Sequence, residues 1–513
     1  MRFTVRTINL EAGGKCIVIM NKDDADFLGL HSLDRVSLRH NERHLTAIID
    51  ITRKFAEKGE IVTTDDVNTF FGLKGGEHLE ISKQEEPCSM VYIKQKIGGA
   101  RLEHDKIRTI VRDVVDRKLS DIEMTSLVTA LYTRGISIDE AADFSKAMVE
   151  TGKRFNFKDA IICDKHSIGG IPGDKTSMVL VPIVAAAGLT IPKTSSRAIT
   201  SPSGTADRME VLAPVSHTLD EIEEIVKKTN ACLVWGGALD LAPADDEFIK
   251  IEYPLGIDPM LLPSIMSKKK AIGAKYLIVD IPTGKEAKIT NVQRARELAE
   301  DFIEMGKRLG IHVACGVTFG DQPLGHGIGP ALEAREALLT IQNKGPKDVV
   351  QKVTCLIDIL FKEIGFNKCT ALEVLKSGKA EKKMREIIEA QGGDPEIQPE
   401  NIVVGDKTFK VKAETDGRVL WIKNSAIVAI CREAGCPKDK GAGIHLNVKM
   451  GSNVKKGEVL FTIHSSNYIR LSDAIKKAEE LSPITIGKSF EEKMLLEKVF
   501  NEIPTKKLFI IDR

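Results

Sequence analysis

Between Ala160 and about Ala390 the chain alternates short apolar runs, AIIC, LTIPK, ACLVW, KYLIVDI and HVACGVTF, with longer helix-like stretches. Strands that return to one another through helices lie parallel, and a parallel sheet carries helices on both faces. The pattern predicts a central α/β domain over 161–390. Ligands of such sheets sit beyond the carboxyl ends of the strands, so the residues after each run are the first candidates for chemistry.

The flanks read differently. From 1 to 85 the runs FTVRTI, CIVIM, RVSLR, LTAIIDI and GEIVTT, separated by Gly, Asn and Asp, predict a small β-rich domain. Over 95–160 the period changes: Ile107, Ile110, Val111, Val114 and Val115 define one apolar helix face. Ser120 with Glu123, and Ser137 with Glu140, have the form of capping boxes, so at least three helices make a helical domain. The polar QGGDPEIQPEN reads as a linker. From 402 to 513, TFKVKA, RVLWI, GIHLNV and EVLFTIH, with a helix starting near Ser472, predict a C-terminal α+β domain. The fold class is therefore α/β and α+β, multidomain.

Composition excludes several functions. Lys plus Arg is 74 and Asp plus Glu 73, a net charge of +1, so no global bias points to nucleic acid or an anionic membrane. Any anion must be met locally. Aromatics are 5%, with Trp235 and Trp421 the two tryptophans, too few for base-stacking platforms. The nine cysteines include no CxxC, and Cys431 and Cys436 lack partners at metal-ligand spacing. Reduced thiols and no metal are expected. MRFTVRTINL lacks an apolar signal core, and the run from Ser177 to Pro192 is broken by Pro182 and Gly188, so a cytoplasmic protein without a membrane partner is expected.

Two loops carry the chemistry. After AIIC come Asp164, Lys165, His166, Ser167, Ile168, Gly169, Gly170, Ile171, Pro172, Gly173, Asp174, Lys175, Thr176 and Ser177, then an apolar helix. Glycines allow close backbone approach, and a helix start offers N–H donors, so an anion such as phosphate fits here. It is not a Walker A loop, because Asp174 stands where the glycine before the lysine belongs. After LTIPK come Thr194, Ser195, Ser196, Arg197, Ala198, Ile199, Thr200, Ser201, Pro202, Ser203, Gly204 and Thr205, hydroxyls grouped around one arginine. A third stretch, from Asp258 through Ser264, Lys268 and Lys269 to Lys285 and Lys288, is weaker on position alone.

KHSIGGIPGDKTS, SSRAITSPSGTAD, SIMSKK and the C-terminal DGRVLWI with GAGIHLNVKMGSNVKKGEVL resemble the thymidine and pyrimidine-nucleoside phosphorylase family. The β-rich extension, SSRAITSPSGT and PTGKEAK look like the archaeal branch of that family that acts on AMP. The resemblance implies phosphate binding by Lys165, Ser167, Ser177, Ser195 and Thr205, and base-side contacts from Ser264 and Lys268. The family's base-contacting arginine has no counterpart in IKIEYPLGID, and Ser201, Pro202 and Ser203 replace the histidine and its neighbours in the family's second loop. Carry-over from the AMP branch implies Asp258 as proton donor. It places nucleotide contacts at Gly170, Ser196, Arg197, Ala198, Ile199, Thr200, Ser201, Thr205, Ser264 and Lys288. A homodimer through the helical region is implied, with the N-terminal domain available to join dimers into a higher homo-oligomer.

The implied reaction takes AMP and phosphate, with CMP and UMP as further candidates, to the free base and ribose 1,5-bisphosphate. It passes through a cation-like sugar, needs inorganic phosphate as co-substrate, and calls for no cofactor. Two phosphates repel unless each has its own donors. A pyrimidine-nucleoside phosphorylase would not need Lys288. A phosphoribosyltransferase would want an acidic magnesium pair, for which Asp245 and Asp246 are the nearby candidates, and a non-catalytic nucleotide-binding protein stays open. His166 reads as a positioned polar residue, because the nucleophile is already an anion. His326 is undecided between site edge and loop. Lys449 lies too close to VKKGEVL for a biotin or lipoyl carrier hairpin.

Overall fold

Alternating side chains close the N-terminal strands into a barrel. In the computed structural model, which describes residues 1–157, 161–198, 201–237 and 239–487, β1 (Arg2–Thr7) and β2 (Ile17–Asn21) precede a short helix α1 (Lys22–Leu28). Strands β3 (Arg35–His40), β4 (Arg43–Thr52) and β5 (Glu60–Thr63), helix α2 (Asp65–Phe71) and β6 (His78–Lys83) follow. The strand order β1-β5-β2-β4-β3-β6 is closed, which removes free edges. Phe3, Val18, Met20, Val36, Leu38, Ile49, Ile61, Leu79 and Ile81 fill it. The pattern predicted five strands; HLEISK is a sixth. The two helices span seven residues each, too short for a helical period to emerge. The barrel sits on the helical region through Arg35, whose guanidinium donates to both Glu123 oxygens at 2.7 Å.

Four helices follow: α3 (Ser89–Ile97), α4 (His104–Val115), α5 (Asp121–Arg134) and α6 (Ile138–Thr151). The stripe on α4 is buried at Ile107, Ile110, Val111 and Val114, and both predicted capping boxes form. Glu140 also accepts from Lys96 at 2.8 Å and from the Leu102 N–H at 2.9 Å.

The central sheet is built from β7 (Cys163–Ser167), α7 (Thr176–Ala186), β8 (Ile191–Ser195), α8 (Thr205–Met209), α9 (Leu219–Thr229) and β9 (Ala231–Trp235). The chain then makes α10 (Pro243–Leu255), α11 (Leu261–Ala271), β10 (Tyr276–Thr283), α12 (Val292–Leu309) and β11 (His312–Phe319). The parallel order is β11-β10-β7, and β8-β9 continues it through a single bridge between Ile162 and Thr190. One expectation needs correction. AIIC and LTIPK were read as strands followed by loops, yet β7 and β8 begin later and carry Lys165, His166, Ser167, Thr194 and Ser195 within the strands. Polar residues at a strand end that lines a cleft read as loop. Within the span 161–390, Ala244 and Phe248 of α10, with Met260, pack into the core of the helical unit against Phe144.

After a two-residue strand β12 (Gly327–Ile328) come α13 (Pro330–Ile341), α14 (Lys347–Ile364), α15 (Ala371–Lys376) and α16 (Lys379–Ala390). The C-terminal part holds β13 (Lys407–Lys412), β14 (Gly417–Ile422), α17 (Asn424–Ala434), β15 (Gly443–Leu446), β16 (Asn453–Val454), β17 (Val459–Ser465), α18 (Tyr468–Leu481) and β18 (Ile484–Gly487). Its larger sheet, β12-β15-β17-β13, borrows β12 from the preceding segment. The helix expected near Ser472 begins at Tyr468, capped by the Asn467 side chain. No helix among the described residues is long and apolar enough to cross a membrane.

The expected linker at 391–401 is anchored at its start. Gln391 accepts from the Leu233 N–H at 2.8 Å and donates to the Leu233 and Pro214 carbonyls at 3.0 Å, so one amide stands in for the missing neighbour of β9. Replacing it by leucine strands these buried groups. Gln391→Leu should cost on the order of 1–3 kcal/mol, read as a lower denaturant midpoint at unchanged slope; an unchanged midpoint would show that water replaces the amide.

Candidate active site

The period of two along β7 sorts its residues onto opposite faces. Lys165 and Ser167 share the face that β10 builds from Ile278 and Asp280, while Asp164 and His166 share the face of Val279. On the first face the Asp280 carboxylate, fully buried, accepts from Ser167 Oγ at 2.9 Å and Thr318 Oγ1 at 2.6 Å, and pairs with Lys352 Nζ at 2.9 Å. Lys165 Nζ lies 3.9 Å from Asp174. Burial alone would raise the Asp174 carboxyl, but Lys165, Lys352 and Arg208 outweigh it and hold the group well below the usual range. Asp174 also accepts from Thr176 Oγ1 at 2.5 Å and from its N–H at 3.3 Å, fixing the start of α7, where Ser177 is buried. Lys175 does not join this group. Its Nζ is drawn to Glu336 at 2.5 Å and to the carbonyls of Leu324 and Gly327.

Glycines of the first loop make room for neighbours. Gly170 has φ +90°, and a Cβ there would stand 3.0 Å from the Lys288 N atom and 3.2 Å from its Cγ. Gly173, at φ +79°, would bring a Cβ within 2.4 Å of the Leu324 carbonyl oxygen.

The second loop is held largely by its own residues and those of α8. Arg197 is bidentate to Glu210 at 2.6 and 2.8 Å, donates to Asp207 at 3.2 Å and lies 5.1 Å over the Trp235 ring. The Glu210 hydrogen bonds raise its pKa, and Arg197 in turn brings Glu210 down to about 2. The Ala198 N–H is taken by Asp207 at 2.7 Å, as is the Gly204 N–H at 2.8 Å. Arg197 and Ala198 therefore brace the loop. Ser195 Oγ donates to the Val234 carbonyl at 3.1 Å, Ser201 Oγ to the Ser203 carbonyl at 3.0 Å, and Thr205 Oγ1 accepts from Arg208 at 3.3 Å. Ser196 is exposed beside them. Ile199 and Thr200 lie outside the described residues.

On α10, Asp245, fully buried, accepts from Ser264 Oγ at 2.9 Å and pairs with Lys268 Nζ at 2.6 Å. Through its Oδ2 it orients the two base-side candidates. Asp164 pairs with Lys269 at 2.6 Å and with Lys193 at 3.9 Å. Burial, then Lys269, brings Lys193 down to about 7. His166 is kept neutral by burial and by Lys269, Lys193, Lys165 and Lys268, which suits a positioned polar group. Asp258, in the turn between α10 and α11, is reached by solvent, yet protein crowding raises its carboxyl above the usual range; Lys288 opposes the shift and Asp245 reinforces it. His326 lies at the contact with the C-terminal part, its Nδ1 2.8 Å from the Leu446 carbonyl.

Three family models match the chain in order. The helical bundle domain of a glycosyl transferase family covers 90–152, the a/b domain of that family covers 159–381, and the pyrimidine nucleoside phosphorylase C-terminal domain covers 420–485. An AMP phosphorylase of Thermococcus kodakarensis is 50% identical over 98% of this chain and 100% of its own length. The AMP phosphorylase of Thermofilum pendens is 45% identical over 95% of this chain and 96% of its own. The chain belongs to the AMP phosphorylase family. Among solved structures, anthranilate phosphoribosyltransferase from Thermus thermophilus matches with a TM-score of 0.48 at 19% identity, covering 58% of this chain and 98% of that one. As a member of the AMP phosphorylase family the chain is a glycosyl-transferring enzyme, built from the helical, α/β and C-terminal parts described above.

Sequence reasoning missed Asp280 and Asp207, acids that orient donors, and read Asp245 only as a candidate metal ligand. Asp280 carried a usable signal, a charge inside the apolar run KYLIVDI, because a fully buried aspartate needs a partner. In this AMP phosphorylase family member Gly170→Ala should push Lys288 out of place and raise the KM for nucleotide about tenfold, about 1.4 kcal/mol, with the KM for phosphate unchanged. Equal changes in both would show instead that the whole first loop had moved.

Proposed function

We propose that this enzyme cleaves AMP by phosphorolysis, releasing adenine and ribose 1,5-bisphosphate, with CMP and UMP as further substrates. The observation that carries the reading is the division of the cleft into two sets of polar groups at the end of β7, with Asp258 and Lys288 close enough to influence each other across it. Lys165, Ser167, Ser177, Ser195 and Thr205 hold the inorganic phosphate. Lys288, Gly170, Ser196 and Ser201 serve the nucleotide's own phosphate, and Ser264 and Lys268 face the base.

A phosphate oxygen attacks C1′ as the bond from C1′ to the base nitrogen breaks. The electron pair of that bond leaves with the base, and Asp258 gives the base its proton. The ammonium of Lys165, near the anion, supports the charge separation of the cation-like sugar in a site with little water. Closure of the helical unit, which carries Asp258, toward the α/β part excludes that water. Inorganic phosphate is the co-substrate, and no step calls for a cofactor. For assembly we assign a homodimer through the helical unit, supported by exposed Val91 and Ile97 on α3 and Tyr132 on α5, with larger particles joined through the barrel. All nine cysteines are free thiols, which supports a reducing cytoplasm.

Phosphate-dependent base release from AMP, CMP, adenosine and thymidine, followed with phosphorus NMR, tests the reading. Release from AMP with none from adenosine is expected; release from thymidine alone would overturn it. Asp258→Asn should lower kcat by about a hundredfold or more. Asp258 acts while protonated, so kcat falls as pH rises through its pKa. Lys288 lowers that pKa, hence Lys288→Met should move the basic limb of kcat at saturating AMP to higher pH. A limb that stays in place would show that another group titrates there.

A further inference from the structure

Two stretches of the C-terminal part, DGRVLWI and the start of α17, have no role in the chemistry above. Both meet the segment that carries Lys288. Lys285 Nζ lies 4.1 Å from the centre of the Trp421 ring. Glu286 accepts from the Ser425 N–H at 3.0 Å and from Ser425 Oγ at 3.3 Å. That carboxylate faces the first turn of an eleven-residue helix, where the N-terminal dipole favours a negative charge.

Neighbouring backbone makes the grip rigid. Buried Asn424 donates to the Gly320 carbonyl at 2.9 Å, and Asp321 accepts the Lys285 N–H at 2.6 Å. The segment closes on itself through Gly284 N to the Ile289 carbonyl and Ala287 N to the Gly284 carbonyl, both 3.1 Å. Lys288 N rests against Gly170 on the opposite side. Residues 285 and 286 thus face the C-terminal part, while Lys288 is left exposed toward Asp258.

We infer that the C-terminal part is a clamp on the segment that carries Lys288: Trp421 and Ser425, acting through Lys285 and Glu286, are positioning residues for Lys288. The inference rests on the proposed contact between Lys288 and the nucleotide phosphate. None of the clamp residues touches substrate. Their loss therefore weakens nucleotide binding through Lys288 and leaves the inorganic phosphate site alone.

The test compares full-length Lys288→Met, Glu286→Ala and the double variant by steady-state kinetics with AMP and phosphate. Lys288→Met should raise the AMP KM at least about tenfold, as loss of a charge-assisted hydrogen bond does. Glu286→Ala should raise it about fivefold with the phosphate KM within about twofold, and the double variant should match Lys288→Met, because coupled residues are non-additive. Trp421→Leu, which removes the cation–π contact, gives a second route to the same shift if Glu286→Ala folds poorly. Additive effects in the double variant, or equal losses for AMP and phosphate, would overturn the clamp. If Lys288→Met weakens AMP but Glu286→Ala and Trp421→Leu do not, the clamp alone fails; if Lys288→Met leaves the AMP KM unchanged, the assignment of Lys288 fails and the clamp falls with it.

Discussion

Asp280 is a carboxylate shut off from water, and three elements supply its partners: Ser167 from β7, Thr318 from β11 and Lys352 from α14. An unpaired charge at that depth would cost several kcal/mol, so these contacts fix where the strands end. β10 lies between β7 and β11 in the sheet, and its aspartate ties the carboxyl ends of all three together. The polar lining of the cleft follows from that tie. Ser167 is aimed by Asp280, and Lys165 is balanced by Asp174, which in turn fixes the start of α7 and the place of Ser177.

The same logic recurs around Asp245 and Asp164. Asp245 aims Ser264 and Lys268, and Asp164 holds Lys269 and shares Lys193. In each case a buried acid fixes the position of neighbouring donors. Asp207 does this for the second loop through backbone N–H groups and Arg197. The chain as a whole stays near neutral, with a net charge of +1, so the placing of individual charges is decided by such local pairs.

Much of the scaffold was legible in the sequence because its signals are local. The apolar stripe of α4, the two capping boxes and the run ACLVW give a helix face, two helix starts and a strand from residues a few positions apart. What failed was decided at long range. Lys165 and Ser167 read as loop because strand polarity near a cleft mimics a turn, and only the pairing of β7 with β10 shows otherwise. The discontinuous helical unit depends on Phe248 meeting Phe144, 104 positions earlier in the chain. The partners of Arg197, Glu210 and Asp207, lie beyond the loop and carry no mark of their role in sequence. Gln391, polar and beside two glycines, resembled a linker until β9 was seen to need an edge partner.

The claim on which everything else hangs is that two anions occupy separate positions, one served by the first face of β7 and one by Lys288. A crystal structure of the enzyme with AMP and sulfate, the latter standing in for inorganic phosphate, tests it most directly. The account predicts sulfate beside Lys165, Ser167 and Ser177, and the nucleotide phosphate beside Lys288 and Gly170. Sulfate and the 5′-phosphate competing for a single position would contradict it.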